Sequence, residues 1–130
     1  MGYIKSFREL DTYRLAREQT KQVFVITKLF PPDERYALTD QIRRSSRAVK
    51  AMLAEAWARR RYRGVFVNKL DEALGEATET QSWLDDCLDS GYITLTQFRQ
   101  MDAAWQSIGA KLNRMIERAS DFCRESTESR

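Results

Sequence analysis

The chain has 130 residues and a net charge of +3, enough for one domain with one core, and its 42% hydrophobic and 32% charged residues are typical of a soluble globular protein. It contains no histidine, and neither Cys87 nor Cys123 has a second cysteine at metal-binding spacing, so we expect no enzyme, no metal site and no cofactor. No segment approaches the roughly 18 apolar residues of a membrane span, and the N-terminal residues lack the apolar core of a signal peptide, so we expect a cytoplasmic protein with no membrane partner.

Four segments carry apolar or small residues at steps of three and four, the spacing of a helix face that packs against other helices. The first stripe is Leu10, Tyr13, Thr20, Val23, Thr27 and Phe30. The second is Leu38, Ile42, Ser45, Val49, Met52 and Ala56, with Leu53 alongside. The third is Phe66, Leu70, Ala73, Ala77, Thr80, Leu84 and Cys87. The fourth is Phe98, Met101, Trp105, Ile108, Leu112, Met115, Ala119 and Phe122.

Short breaks separate the four stripes. Pro31 and Pro32 end the first predicted helix, because proline removes a backbone donor and disfavours helix at the residue before it. Gly64 is predicted to end the second helix as a C-terminal glycine, and Ser90-Gly91 to end the third. Thr94 and Gln97 are spaced as a capping box for the fourth. These signals predict an all-α fold, an up-down-up-down antiparallel four-helix bundle, over residues 1–125 as a single domain. We expect the polar tail at 126–130 to be disordered.

The first connection, FPPDERYALTDQIRRS, carries more sequence information than a turn requires. It resembles the signature of the four-helix bundle proteins that are encoded in intervening sequences of bacterial 23S rRNA genes. The residues that carry the resemblance are Phe30, Pro31, Glu34, Arg35, Tyr36, Leu38, Gln41, Arg43 and Arg44. Further matches are Glu55, Gly75, Glu79 and the turn Gly91-Tyr92-Ile93. The chain departs from the family pattern at 52–56, where Asn-Ile-Ala-Glu-Gly is usual, and at Glu76, where serine is usual.

This resemblance implies a bundle that assembles into a ring, and we expect a homo-oligomer, with a pentamer as the expected form. Apolar residues outside the stripes, at Leu15, Phe24, Ile26 and Val67, are candidates for the contact between subunits. Trp83, which flanks the third stripe, is a candidate anchor of the same kind. The family's relatives include accessory proteins of diversity-generating retroelements, so a reverse transcriptase or an rRNA context is an implied association.

Charge is unevenly distributed along the chain. Residues 35–63 contain nine basic and two acidic residues, whereas residues 64–90 contain one basic and seven acidic residues. If the second and third helices form a hairpin that turns near Tyr62, residues at equal distances from the turn lie level with each other. That geometry predicts structural ion pairs along the seam between the two helices. The pairs are Arg44–Glu79, Arg47–Glu76, Lys50–Glu72 and Glu55–Lys69.

The segment AWARRRYRG, at residues 56–64, has no such partners, because the residues level with it on the third helix are Gly64, Val65, Phe66 and Val67. The bundle topology places these arginines at one end, the basic end, together with Lys5, Arg8, Arg118 and Arg124. The opposite end, the acidic end, collects Asp33, Glu34, Asp85, Asp86 and Asp89.

Guanidinium groups beside aromatic rings suit phosphate contact with some base stacking. The sequence therefore predicts a nucleic-acid interface for RNA or DNA. Its candidate residues are Arg43, Arg59, Arg60, Arg61, Tyr62 and Arg63. The alternative is a protein-only scaffold whose charged ends dock partner proteins, and the sequence leaves the two hypotheses open.

Overall fold

The structure, a computed structural model, describes residues 4–123. Its helices are α1 (Asp11–Thr27), α2 (Leu38–Ala58), α3 (Arg63–Asp89), α4 (Leu95–Glu117) and the single-turn α5 (Ala119–Phe122), with 3₁₀ turns at Phe7–Glu9 and Pro32–Glu34. No strand occurs in these residues. The prediction of an all-α four-helix bundle is confirmed. The predicted tail at 126–130 lies outside the described residues.

Each long helix packs against two neighbours: α1 and α3 both pack against α2 and α4. The predicted stripes form this interior, and the stripe on α3 is buried at every position. Trp105 of α4 has no exposed surface and is the largest of the fully buried side chains. Burying each large apolar side chain contributes roughly 1.5–3 kcal/mol, so the stripes supply most of the drive for packing.

The turn from α3 to α4 has the geometry that its sequence predicts. Gly91 has a φ of 76°, a left-handed conformation that favours glycine. Its amide donates to the Leu88 carbonyl at 2.9 Å, and the Tyr92 amide donates to the Cys87 carbonyl at 2.9 Å, the two bonds of a Schellman motif. The capping box of α4 is also present, with the Gln97 amide donating to Thr94 Oγ1 at 3.0 Å.

Gly64 has a different role from the predicted one. α2 ends at Ala58, and Gly64 is the second residue of α3 rather than a C-terminal glycine of α2. The turn between them closes without a left-handed residue, because the Tyr62 amide donates to the Arg59 carbonyl at 2.9 Å. The hairpin still turns at Tyr62, so residues on α2 and α3 lie level as expected.

Two of the helices end before the last residue of their predicted apolar stripe. α1 ends at Thr27, before the prolines, and the Thr27 hydroxyl donates to the Val23 carbonyl at 2.7 Å. α4 ends at Glu117, and the chain bends at Arg118 before α5. The bend brings the Phe122 ring onto the Phe66 ring of α3, with centroids 5.6 Å apart, so the last stripe residue covers the end of the core.

Candidate nucleic-acid interface

The turn between α2 and α3 presents most of its cations to solvent. Arg59, Arg61, Tyr62 and Arg63 are exposed, and the Arg61 guanidinium lies 5.4 Å from the Tyr62 ring centroid. Within residues 4–123, none of these three arginines comes within 4.0 Å of a carboxylate. We refer to Arg59, Arg61, Tyr62 and Arg63 as the arginine cluster.

Arg60 differs from the other arginines of the turn because it is held against the protein. Its guanidinium lies 3.8 Å from the Trp57 ring centroid, and its Nη1 donates to the Trp57 carbonyl at 2.7 Å. That carbonyl belongs to the last turn of α2, where helix carbonyls lack intrahelical donors. Arg60 therefore caps the C-terminus of α2.

The arginine cluster surrounds a helix terminus that lacks a counter-charge. α3 has 27 residues, no acidic residue in its first turn and no side-chain cap at Tyr62. The first amides of a helix carry partial positive charge, so Arg63 at the first position is electrostatically unfavourable. An anion would relieve this accumulation of positive charge, and free helix amides are suited to bind one.

The structure does not bring Arg43 together with the arginine cluster. Arg43 lies sixteen residues before Arg59 on α2, about 24 Å along the axis at 1.5 Å per residue. Its Nε donates to the Thr27 hydroxyl at 2.7 Å, and its guanidinium lies 4.7 Å from the Phe24 ring centroid. These contacts join α2 to α1, so the geometry gives Arg43 a structural role.

The seam between α2 and α3 contains ion pairs on both sides of its midpoint. Arg44 Nη2 lies 2.8 Å from Glu79 Oε2, and Arg44 Nη1 lies 3.7 Å from Glu76 Oε1. Lys69 Nζ lies 3.1 Å from Glu55 Oε1 and 3.4 Å from Glu72 Oε1. The hydrogen bond and the charge of Glu55, with a smaller contribution from Glu72, raise the pKa of Lys69.

Arg47 and Lys50 do not form the pairs expected of them. In the described part of the chain, neither lies within 4.0 Å of a carboxylate. Arg44 contacts both Glu76 and Glu79, and Lys69 contacts Glu72, so the carboxylates expected for Arg47 and Lys50 are already paired. Arg47 instead faces the Phe24 ring, 6.0 Å from its centroid.

The basic end also contains a cleft of about 260 Å³ between the start of α1 and the end of α4. Its lining residues are Asp11, Thr12, Lys111, Arg114, Met115, Arg118 and Phe122. Of the other cations expected at this end, the Arg8 guanidinium lies 4.5 Å from the Phe7 ring centroid. Arg124 lies outside the described residues. Sequence reasoning missed the cleft, because its two walls are about a hundred residues apart in the chain.

At the acidic end, Glu34 joins three segments. Its carboxylate accepts hydrogen bonds from the Tyr92 hydroxyl at 2.8 Å and from the Leu38 amide at 3.3 Å. The bond with Glu34 raises the pKa of Tyr92. Burial, with the charges of Asp86 and Glu34, raises the pKa of the Cys87 thiol to about 12. Glu34 and Tyr92, both in the family-like pattern, therefore have architectural roles.

The apolar residues expected at a subunit interface are only partly exposed. Ile26 is buried in the core, contrary to the expectation, because it faces inward from the last turn of α1. Leu15 and Val67 are half-buried, and Phe24 is 39% exposed. Sequence reasoning missed the most exposed apolar residues near Phe24 in the chain. These are Val25 at 57%, Leu29 at 87% and Tyr36 at 85%.

Trp83, the other expected anchor, is half-buried, and its Nε1 donates to Glu79 Oε2 at 3.1 Å. It lines a cleft of about 320 Å³ at the acidic end. The other lining residues are Glu34, Ala37, Leu38, Gln41, Asp86 and Ser90. The mixed apolar and acidic lining is suited to a partner side chain with an aliphatic stem and a cationic head.

Comparison with known proteins assigns the chain to a protein family. Residues 8–114 match the family model described as 23S rRNA-intervening sequence protein. The chain belongs to this family. This chain is similar to a protein of unknown function of the S23 ribosomal protein family from Bacteroides thetaiotaomicron VPI-5482, whose crystal structure is at 1.70 Å resolution. It shares 27% sequence identity over 82% of this chain and 95% of that chain, with a TM-score of 0.75. No curated protein gives a significant match.

The family match covers all four long helices except the last three residues of α4. Neither the family description nor the Bacteroides structure assigns an enzymatic activity. In the part of the chain that the structure describes, no helix is long and apolar enough to cross a membrane. Nor do the described residues bring together three side chains that could hold a metal ion.

Proposed function

We propose that this family member is a non-enzymatic homo-oligomer that binds RNA or DNA through its basic end. The observation that carries the proposal is the arginine cluster, in which three exposed arginines without carboxylate partners surround the uncapped N-terminus of α3. Phosphate neutralises both the cations and the partial charge of the helix amides. Tyr62, 56% exposed, adds a ring on which a base can stack.

The fold does not require the three arginines of the cluster. In this they differ from the cations in the seam between α2 and α3. Arg44 and Lys69 pair with carboxylates, and Arg60 caps α2. Arg59, Arg61 and Arg63 have no carboxylate partner in residues 4–123, and the ring that Arg61 faces belongs to Tyr62 of the same exposed turn, so nothing in the packing of the bundle explains their concentration. A ring of subunits would present several copies of the arginine cluster, and weak contacts would then add through multivalency.

The test is the triple substitution Arg59→Gln, Arg61→Gln and Arg63→Gln, with Arg60 kept because it caps α2. We expect weaker binding of single-stranded RNA or DNA, and a slope of log affinity against log salt that falls by about 0.7–0.9 for each phosphate that the protein no longer neutralises. The matched control is Arg17→Gln, Arg35→Gln and Arg99→Gln, which removes the same charge from exposed positions outside the turn.

Two results would overturn the nucleic-acid proposal. One is a parent protein that binds neither RNA nor DNA at low salt. The other is an equal decrease of affinity in the triple variant and the control, because net charge alone would then explain the binding.

The second candidate function is a protein scaffold. It is favoured by the apolar surface that Val25, Leu29 and Tyr36 expose between the end of α1 and the start of α2, since exposed apolar surface can mark an interaction site. The two functions are compatible if this surface joins copies of the chain and the basic end contacts nucleic acid. We propose that the joined copies form a five-membered ring. A reverse transcriptase or an rRNA context is then the proposed setting. Association of the purified protein with a reverse transcriptase, without any nucleic-acid binding, would favour the scaffold.

A further inference from the structure

The cleft at the basic end lies over the first turn of α1. α1 begins at Asp11, and Leu10 before it provides no side-chain cap. The first amides of a helix have no intrahelical acceptor, so those of Asp11, Thr12 and Tyr13 depend on solvent or a ligand. α1 is 17 residues long, and its dipole adds partial positive charge to this site.

A threonine without a hydrogen bond also lines the cleft. Thr12 is only 4% exposed, and no hydrogen bond joins its hydroxyl to another described residue. The other buried threonines of α1, Thr20 and Thr27, both donate to a carbonyl one turn earlier. The Thr12 oxygen is not among the described side-chain atoms that are fully enclosed without a partner, so water or a ligand can reach it. Thr12 therefore marks a position for a hydrogen-bond acceptor.

Cations from α4 and from the residue after it complete the lining. Lys111, Arg114 and Arg118 contribute three positive charges, and Asp11 contributes the one negative charge. Asp11 Oδ2 lies 3.5 Å from Lys111 Nζ, but the Asp11 side chain is 81% exposed, so it reaches the lysine from the solvent side. At about 260 Å³ the cleft is below the usual range of small-molecule pockets, roughly 300–1,000 Å³, and it suits a small group.

We propose that this cleft binds a phosphate group through the Thr12 hydroxyl, the first amides of α1 and the cations Lys111, Arg114 and Arg118. In taking a nucleic-acid phosphate as the natural source, the proposal rests on the proposed function. The Phe122 ring lines the cleft and stacks on Phe66 in the first turn of α3, so the cleft lies at the same end of the bundle as the arginine cluster. One strand of nucleic acid could therefore contact both.

The first experiment uses inorganic phosphate as the ligand and follows the backbone amides by TROSY NMR. We expect shifts at the amides of residues 11–13 that saturate with phosphate. The variant Arg114→Gln/Arg118→Gln should weaken binding at least tenfold, whereas the control Arg17→Gln/Arg99→Gln, with the same change in charge, should not. Shifts confined to residues 63–65, at the start of α3, would overturn the proposal.

Two single substitutions test the geometry without removing a cation. Thr12→Val keeps the shape of the side chain and removes the hydroxyl, and we expect about threefold weaker phosphate binding. Asp11→Asn removes the competing carboxylate and frees Lys111, so it should tighten phosphate binding severalfold. Weaker binding in Asp11→Asn would contradict the proposed role of Lys111.

A second arm separates the two proposals by comparing RNA oligonucleotides in the Arg114→Gln/Arg118→Gln variant and in the arginine-cluster variant. If RNA binds and only the arginine-cluster variant weakens it, the cleft proposal fails while the proposed function stands. If phosphate occupies the cleft but neither RNA nor DNA binds, the cleft takes a free phosphate and the proposed function fails. Weaker RNA binding in both variants supports both.

Discussion

The hydroxyl oxygens of Ser45 and Thr80 lie 2.8 Å apart in the interface between α2 and α3, and neither residue is exposed. Thr80 Oγ1 also lies 2.9 Å from the Glu76 carbonyl, and Ser45 Oγ lies 3.4 Å from the Ile42 carbonyl, so each hydroxyl has a carbonyl acceptor on its own helix and either one can donate in the bond between them. This bond fixes the register of α2 against α3 at the level of the ion pair between Arg44 and Glu79.

We expect Ser45→Ala and Thr80→Val each to lower the free energy of unfolding by about 1 kcal/mol, because each removes one partner from a buried hydrogen bond. The double variant should cost less than the sum, with a coupling of about 0.5–1.5 kcal/mol. Urea denaturation of the four proteins in this cycle gives the coupling directly. Strict additivity would mean that the two hydroxyls do not interact in solution.

A second prediction concerns Arg44 and Arg47, both of which the sequence predicts to pair with a carboxylate on α3. Arg44→Gln should lower the free energy of unfolding by about 1 kcal/mol, the upper part of the range for exposed pairs, since the partly buried Glu76 loses its cation. Arg47→Gln should change it by less than about 0.5 kcal/mol, because Arg47 has only a distant contact with Phe24. Thermal melts of both variants make the comparison, and an equal effect would contradict the geometry.

These arginines show how far the sequence predicts the molecule. Periodicity identifies the buried face of a helix, so it placed Ser45 and Thr80 in the interior. It also placed Arg44 level with Glu79, since hairpin register depends only on distance from the turn. A long side chain, however, can reach several partners on the neighbouring helices, and the register does not determine which of them it contacts. For that reason the sequence assigned Arg47 to Glu76, whereas the structure places Arg47 over Phe24.

The candidate site is less predictable than the fold for a related reason. The concentration of arginines at 59–63 is visible in the sequence, but the contact of Arg60 with Trp57 depends on the path of the turn. The cleft at Thr12 depends on the approach of α1 and α4, which only the tertiary structure shows.

Arg60 supplies a third prediction. Arg60→Gln removes the cap on the Trp57 carbonyl and the stacking on the Trp57 ring, so we expect a decrease of about 1 kcal/mol in the free energy of unfolding. Arg61→Gln, one residue later, removes the same charge from an exposed position and should cost less than about 0.5 kcal/mol. Chemical denaturation distinguishes them. Equal stability of the two variants would show that Arg60 does not cap α2.

The pKa of Cys87, about 12 in the folded protein, predicts a loss of stability at high pH. The thiol of an unfolded chain ionises near pH 8.5. Between about pH 9 and 12 the unfolded state therefore loses a proton that the folded state keeps, and folding stability falls as pH rises. The raised pKa values of Tyr92 and Lys69 act in the same direction.

The measurement is the thermal midpoint from pH 8 to 11 in the parent and in Cys87→Ala, whose decline should be shallower because the thiol is gone. In Cys123→Ala, where Cys87 is the only cysteine, iodoacetamide at pH 8 should label the native protein far more slowly than the unfolded one. Rapid labelling of the native protein would contradict the burial of Cys87.

The last prediction concerns self-association. Val25 lies in the last turn of α1 and Leu29 in the turn after it, and both side chains are exposed close to Phe24 in the chain. We expect the parent protein to be a homo-oligomer at micromolar concentration in light scattering, with five subunits as the proposed count. Val25→Asp/Leu29→Asp should shift it toward the monomer, because burying two carboxylates in an apolar interface is costly. Leu95→Asp is the control at another exposed leucine, and it should leave the mass unchanged. Thermal melts must show that the double variant still folds, which is expected because both side chains are exposed. A monomeric parent would contradict self-association, and an unchanged mass for the folded double variant would place the interface on another face of the bundle.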